Sequence, residues 1–259
     1  MEPEEYASIY RLEQHHWWYR GMREVAEAWL DRYVQVRAAT VRERTEDRRK
    51  DLSVLDAGCG TGGNLLALSR FGRVYGVDYS PLALRFCRER RLRDTARASV
   101  THIPFRDARF DLVTSFEVLY HAAVADDVAA MREVYRVLVP GGSFLLRLPA
   151  FEFLRGAHDR TVHTRHRYTA PEVGEKLRRA GFEVLRLSYA NSLLFPLAAA
   201  SRVAQQATGR ADRGGSDVRE TTGWLNELLR LPLLLEARLL PLMDLPVGLS
   251  VLALARRPP

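Results

Sequence analysis

Apolar side chains recur at helical spacing over residues 5–34, where Tyr6, Ile9, Tyr10, Trp17, Trp18, Val25, Trp29 and Tyr33 give an unusually aromatic surface. From Arg37 to Asp51 charge is dense and large apolar residues nearly vanish, so this stretch reads as a solvated helix end and linker. Beyond Ser53 the pattern alternates short apolar runs with amphipathic helices, which predicts a mostly parallel sheet with helices on both faces. Residues 53–57 read as a buried strand, 64–71 as a helix closed by Gly72, and 74–78 as a second strand. Ser80 caps the next helix with Pro81 in its first turn, and 110–116 is a further strand.

Helix 126–138 aligns Val128, Met131, Val134, Tyr135 and Leu138 on one face, and Pro140, Gly141 and Gly142 turn the chain into strand 143–148. Thr169 and Glu172 have capping-box spacing at the start of a helix that ends at Gly181. Strand 183–189 follows, and 247–255 is the last strand. Between them, 191–246 holds three apolar helical candidates at 193–204, 224–231 and 233–243, with a polar, glycine-rich loop at 209–217. Pro196, Arg230, Pro232, Glu236, Arg238 and Pro241 break each apolar run well short of the ~20 residues of a membrane span. The predicted organisation is a helical cap and linker (1–50), an α/β core (51–190), a helical insertion (191–246) and a returning core strand (247–259).

A chain of 259 residues, 47% hydrophobic and 27% charged, suits one α/β domain with decorations. Its start is acidic and polar with no apolar signal core, so a cytoplasmic protein is expected. Cys59 and Cys87 are the only cysteines and form no Cys-x-x-Cys pair, so neither a disulfide framework nor a zinc site nor redox chemistry is indicated. The net charge of +7 permits contact with nucleic acid or anionic lipid, but the basic residues are scattered among acids and only Lys50 and Lys176 are lysines. A nucleic-acid partner is not expected without a clustered basic stripe.

The strongest chemical signal is Val54-Leu55-Asp56-Ala57-Gly58-Cys59-Gly60-Thr61-Gly62, a strand feeding a glycine bend and then a helix. Glycines let the backbone turn tightly and approach a ligand with helix-terminal N–H groups aimed at it. Gly58, Gly60 and Gly63 also fit the dinucleotide spacing, so flanking residues must decide between ligands. Asp56 favours a cationic cofactor over a pyrophosphate; the structural alternative is a carboxylate satisfied by the bend's own N–H groups.

This set resembles the class I S-adenosylmethionine-dependent methyltransferases, in the small-molecule branch with a D-x-G-x-G-x-G loop. The match continues through Val74-Tyr75-Gly76-Val77-Asp78, Ile103-Pro104-Phe105, Phe110-Asp111-Leu112-Val113, Val118-Leu119-Tyr120-His121 and Arg136 to Gly142. It implies a Rossmann-like, doubly wound, three-layer α/β/α fold with a seven-stranded, mostly parallel sheet and an antiparallel last strand. It also implies that S-adenosylmethionine is the cofactor and S-adenosylhomocysteine the product. Asp78 would take the ribose hydroxyls, with Asp56, Gly58, Cys59, Gly60, Tyr79, Ser99, Val100 and Phe116 as further cofactor contacts. Ser99 stands where the family commonly has an acid facing adenine, and Glu117 where many members carry Asp or Asn. The cluster from His15 to Arg20 resembles the leading helix of bacterial relatives, which implies that Tyr19 or Arg20 reaches the cofactor's carboxylate end.

Methyl transfer from a sulfonium needs mainly proximity in a dry pocket, and a general base only where the acceptor loses a proton. His121, spaced after the fourth strand, is the favoured base or positioning group. His158, His163 and Tyr168 follow the fifth strand, where α/β active-site loops gather. A metal site from His158, Asp159, His163 and His166 lacks a sharp ligand signature, and none is expected. The insertion is read as a substrate lid, a homodimer contact or a surface touching lipid. Relatives of this layout imply a partly apolar small-molecule acceptor, a specialised metabolite or lipid-linked sugar. The alternatives are a nucleic-acid methyltransferase, against which stands the absence of an Asn/Asp-Pro-Pro-aromatic signature after Ser115, and a non-enzymatic membrane-surface or scaffold protein.

Overall fold

The computed structural model describes residues 1–40, 52–207 and 221–259. Residues 41–51 of the charged linker and the glycine-rich loop 209–217 lie outside them.

Seven strands form one sheet: β1 (Leu52–Ala57), β2 (Gly72–Asp78), β3 (Thr95–Arg97), β4 (Phe110–Phe116), β5 (Leu138–Pro149), β6 (Glu183–Ala190) and β7 (Ser250–Arg256). Their order is β3-β2-β1-β4-β5-β7-β6. The first five pair in parallel, and β7 runs antiparallel to both β5 and β6. Strand order reverses between β1 and β4, so a ligand crevice is expected outside their carboxyl ends.

Successive side chains in a strand point to opposite faces, and the two cores follow that alternation. Leu55, Val113, Phe144, Leu146 and Ala253 pack on one face beneath α5 (Asp127–Val137) and α7 (Ala170–Arg179). Val54, Leu112, Leu145, Leu252 and Leu254 pack on the other against Val25, Trp29 and Leu30 of α2 (Trp17–Thr40). Leu233 and Leu240 join this second core from α9 (Gly223–Leu239) and the turn that ends it, so part of the insertion covers the sheet itself.

Several elements differ from expectation for identifiable reasons. The first helix is two, α1 (Pro3–Leu12) and α2, broken at 13–16; Trp17 N–H donates to Asn226 Oδ1 at 2.7 Å, a cap supplied by α9. Pro232 does not end a helix. Leu233, Glu236 and Leu240 recur on one buried face and carry the chain past the proline, so two predicted helices form α9. The third apolar candidate is α8 (Phe195–Ala207). Thr169 makes no side-chain cap, and the Glu172 carboxylate pairs with His166 and Lys176 instead of returning to the helix start. Ser80 does cap α4 (Pro81–Glu89), accepting from Ala83 N–H. The Ile103-Pro104-Phe105 segment lies beyond β3 and is pinned by Glu133 and Arg136 of α5. Helix α5 runs directly into β5, whose ladder to β4 skips residues 139–142.

Among the described residues no helix is long and apolar enough to cross a membrane. Exposed apolar side chains gather on the insertion, with Leu197, Trp224, Leu228, Leu231 and Leu242 all more than half exposed.

Candidate active site

A cavity of about 940 Å³ opens at the carboxyl ends of the central strands and is roofed by α1 and α2. Its floor at one end is the glycine bend. Gly58, Gly60 and Gly62 have φ of +89°, +54° and +90°, a region that only glycine enters freely. The bend is tied down by Gly58 N–H and Cys59 N–H, which both donate to Val77 O at 2.8 and 2.9 Å. A side chain at Gly58 would collide with Val118, whereas one at Gly60 would enter open space, so Gly60 is where bare backbone faces the cavity.

Asp78 ends β2 beside this bend. Its Oδ2 accepts from Gly60 N–H at 2.9 Å and its Oδ1 from Ser80 N–H at 2.8 Å. Burial pushes its pKa up, and the two backbone donors oppose that rise. Each oxygen keeps a lone pair for a further donor, the requirement for gripping a diol.

Asp56 departs from expectation. It is 1% exposed and absent from the cavity wall; Oδ1 accepts from Thr114 Oγ1 at 2.7 Å, and Oδ2 has no partner. Burial raises its pKa to about 7. Its strand packs it behind the bend, so its influence on a cation is through the backbone rather than by contact.

Cys59, Tyr79, Ser99, Val100 and Phe116 all border the cavity. The Ser99 hydroxyl is 2.7 Å from Thr101 Oγ1 and accepts from Thr101 N–H. Tyr79 is well exposed beneath the Arg97 guanidinium, and Phe116 lies 5.0 Å below that of Arg147.

The helical roof contributes through residues that the sequence pattern did not single out. Glu13 is buried at the α1–α2 break, where its carboxylate accepts from Thr61 Oγ1 and from Arg90 at 2.7 Å. Arg23 donates to the Glu13 carbonyl and borders the cavity with Tyr19. Burial pushes the Tyr19 phenol well above its ordinary range, so it stays protonated. Arg20 is absent from the cavity wall and pairs with Glu227 of α9.

At the other end of the cavity the sequence-predicted residues separate. His121 borders it, with Nε2 3.0 Å from the Met1 nitrogen; burial, that nitrogen and His163 together lower its pKa to about 4. His158 also borders it, and its Nδ1 is buried without a partner. His163 instead sits outside the wall and binds Glu2 at 2.8 Å. Tyr168 is fully buried in the core, donating to Asp127 at 2.8 Å, and is not available to a ligand. Asp159 is taken by Arg167 and His166 by Glu172, and among the described residues no three such side chains are grouped to hold a metal ion.

Arg147 and Asn191 complete this end. Arg147, on β5, is 5% exposed and pairs with Glu117 at 3.0 Å. Glu117 holds a φ of +58°, and Asn191 one of +57° with Oδ1 buried and unpartnered. Backbones of this kind in non-glycine residues concentrate at ligand sites. Arg147 had a legible signal, a charge inside the apolar run Ser143 to Leu148; Glu13 and Asn191 had none, because their burial depends on distant elements.

Sheet order, glycine bend and a strand-ending Asp78 together give the fold that this chain shares with S-adenosylmethionine-dependent methyltransferases. Residues 55–146 match the family model described as a methyltransferase domain. A "probable S-adenosylmethionine-dependent methyltransferase" of Mycolicibacterium smegmatis is 36% identical over 153 residues, 57% of this chain and 58% of that protein. A "probable tRNA methyltransferase 9B" of Mus musculus is 32% identical over 113 residues, 43% of this chain and 25% of that one. The chain thus spans less than two thirds of the length of these relatives. A SAM-dependent methyltransferase structure from Thermotoga maritima shares the fold, with a TM-score of 0.54 at 16% identity over 98% of this chain and 95% of that chain.

Proposed function

We propose that the protein transfers a methyl group from S-adenosylmethionine to a small, partly apolar acceptor. The observation that carries this reading is the continuity of one cavity, from Gly60 and Asp78 at one end to Asn191, Leu249 and Ser250 at the other. Gly60 offers open space beside unshielded backbone and Asp78 has spare acceptor capacity, so the residues present fit the cofactor. Asp78 would hold the ribose, Gly58 to Gly60 the space along the bend, Ser99 and Val100 the adenine, and Tyr19 with Arg23 the amino-acid end. When bound, the cofactor supplies an electrophilic methyl on a sulfonium.

The chain's own part is to bind, orient and exclude water. Trp17, Trp18 and Tyr19 close the roof, and Phe116, Pro149 and Leu154 give the acceptor end an apolar wall. Ala198 and Arg202 of α8 line the same end, while Leu197 and Val203 of that helix are exposed, which supports an apolar portion on the acceptor. His121, neutral at physiological pH, takes the acceptor's proton where it has one to lose. The likeness to a tRNA methyltransferase spans 43% of this chain and 25% of that protein, too small a share to bring that protein's acceptor with it.

Incubation with methyl-tritiated S-adenosylmethionine and either total tRNA or a small-molecule extract tests this. The expected result is label in the organic-soluble fraction; label in tRNA alone would replace the acceptor reading.

A further inference from the structure

The only two cysteines of the chain lie far apart in sequence yet meet under the cofactor bend. Cys59 sits inside the bend, and Cys87 faces it from α4. Cys87 Sγ donates to the Gly60 carbonyl at 3.3 Å, and Cys59 Sγ lies 4.0 Å from the same oxygen. Both sulfurs thus approach one oxygen, and the two side chains share an apolar nest with Leu65 and Leu84. Cys87 is sealed off, whereas Cys59, although buried, belongs to the cavity wall. Methyl transfer uses neither.

We infer that Cys59 and Cys87 form a reversible disulfide under peroxide, and that this crosslink loosens the cofactor site. Hydrogen peroxide oxidises the Cys59 thiol to a sulfenic acid and is itself reduced to water. The Cys87 sulfur then attacks the Cys59 sulfur, the S–S bond forms, and the hydroxyl leaves with the Cys87 proton as a second water. Two thiols and one peroxide thus give one disulfide and two waters. The neighbouring Cys87 thiol and burial hold the Cys59 thiol well above its ordinary pKa, so the reaction is slow at neutral pH and quickens as pH rises.

Crosslinking removes the S–H donor from the Gly60 carbonyl and ties the bend to α4. Gly60 N–H, on the preceding peptide, is one of the two donors that fix Asp78, so a displacement of Gly60 is felt at the carboxylate proposed to hold the ribose. Only this consequence rests on the proposed cofactor; the crosslink itself does not.

The full chain is treated with hydrogen peroxide and followed by intact mass, non-reducing peptide mapping and calorimetry with S-adenosylhomocysteine. The expected results are a mass loss of about 2 Da and a peptide pair joining Cys59 to Cys87. Affinity should fall by about tenfold, the scale of one well-placed hydrogen bond, and return on thiol reduction. S-adenosylhomocysteine added first should slow the crosslink by covering Cys59. Cys87→Ser, which keeps a donor to Gly60, should bind normally and lose the peroxide sensitivity; Cys87→Ala serves the same end if the serine variant folds poorly. Oxygen added to separate cysteines without a crosslink, or a crosslinked protein that binds as tightly as the reduced one, overturns the proposal. If the reduced protein fails to bind at all, the cofactor reading and the loosening both fall, whereas normal binding without a crosslink removes the disulfide alone.

Discussion

Two aspartates at neighbouring strand ends are put to different uses by their surroundings. Asp78 meets two backbone donors and open cavity, so Asp78→Asn should weaken S-adenosylhomocysteine binding by about ten- to a hundredfold, the scale of a charged hydrogen bond, by calorimetry. Asp56 is enclosed with one oxygen unpaired, and its pKa is raised to about 7. A carboxyl raised on folding costs the folded state stability as pH climbs from its ordinary range through that value. The ligand-free protein should therefore melt lower at about pH 8 than at about pH 5, and Asp56→Asn should flatten that trend. An unchanged slope in the variant would assign the trend to other groups. Arg23 and Arg20 make a second contrast: Arg23→Ala should weaken cofactor binding, whereas Arg20→Ala, which breaks only a solvent-screened surface pair, should leave it unaltered. Since the His121 pKa is lowered to about 4, the methylation rate should be level near neutrality and fall only as pH approaches that value; a step near the ordinary histidine pKa would contradict that lowering. Gly60 was legible because the left-handed backbone of the bend demands glycine, and Asp78 because it matches the strand-ending acid of the family that the chain resembles. Asp56 was read as a cofactor contact, with burial as the alternative; the packing of β1 against β4 leaves it outside the cavity wall with Thr114 as its partner.

At the scale of elements, hydrophobic periodicity located most of the sheet and the helices between its strands, and it failed where a distant partner set the outcome. The break between α1 and α2 is capped by Asn226 and stapled by Glu13 to the glycine bend, contacts with no local sequence signature. Pro232 signalled a stop, yet the tertiary contacts of Leu233 and Glu236 carry α9 through it. Gly21 of α2 admits Leu233 so closely that a Cβ there would strike it. Leu233→Ala should cost about 2–5 kcal/mol by chemical denaturation, as for other fully buried leucines. Because α2 also carries Tyr19 and Arg23 to the cavity, the same variant should bind cofactor less tightly than wild type. Full affinity in a destabilised variant would show that roof and insertion act independently.

Across the whole molecule, the family match ends at residue 146, and the acceptor end of the cavity is built largely from residues beyond that point. Arg147 and Pro149 leave β5, His158 and Arg167 stand on the next loop, and Asn191 and Arg202 come from the start of the insertion. That division explains why the cofactor half was readable from motifs, whereas the acceptor half required the fold to bring the carboxyl ends of β5 and β6 beside β4. The most direct measurement is calorimetric titration of the purified protein with S-adenosylhomocysteine and, separately, with NAD. One-to-one binding of the former, lost in Asp78→Ala, with no heat from NAD, is the expected result; binding of NAD without any response to S-adenosylhomocysteine would contradict the account.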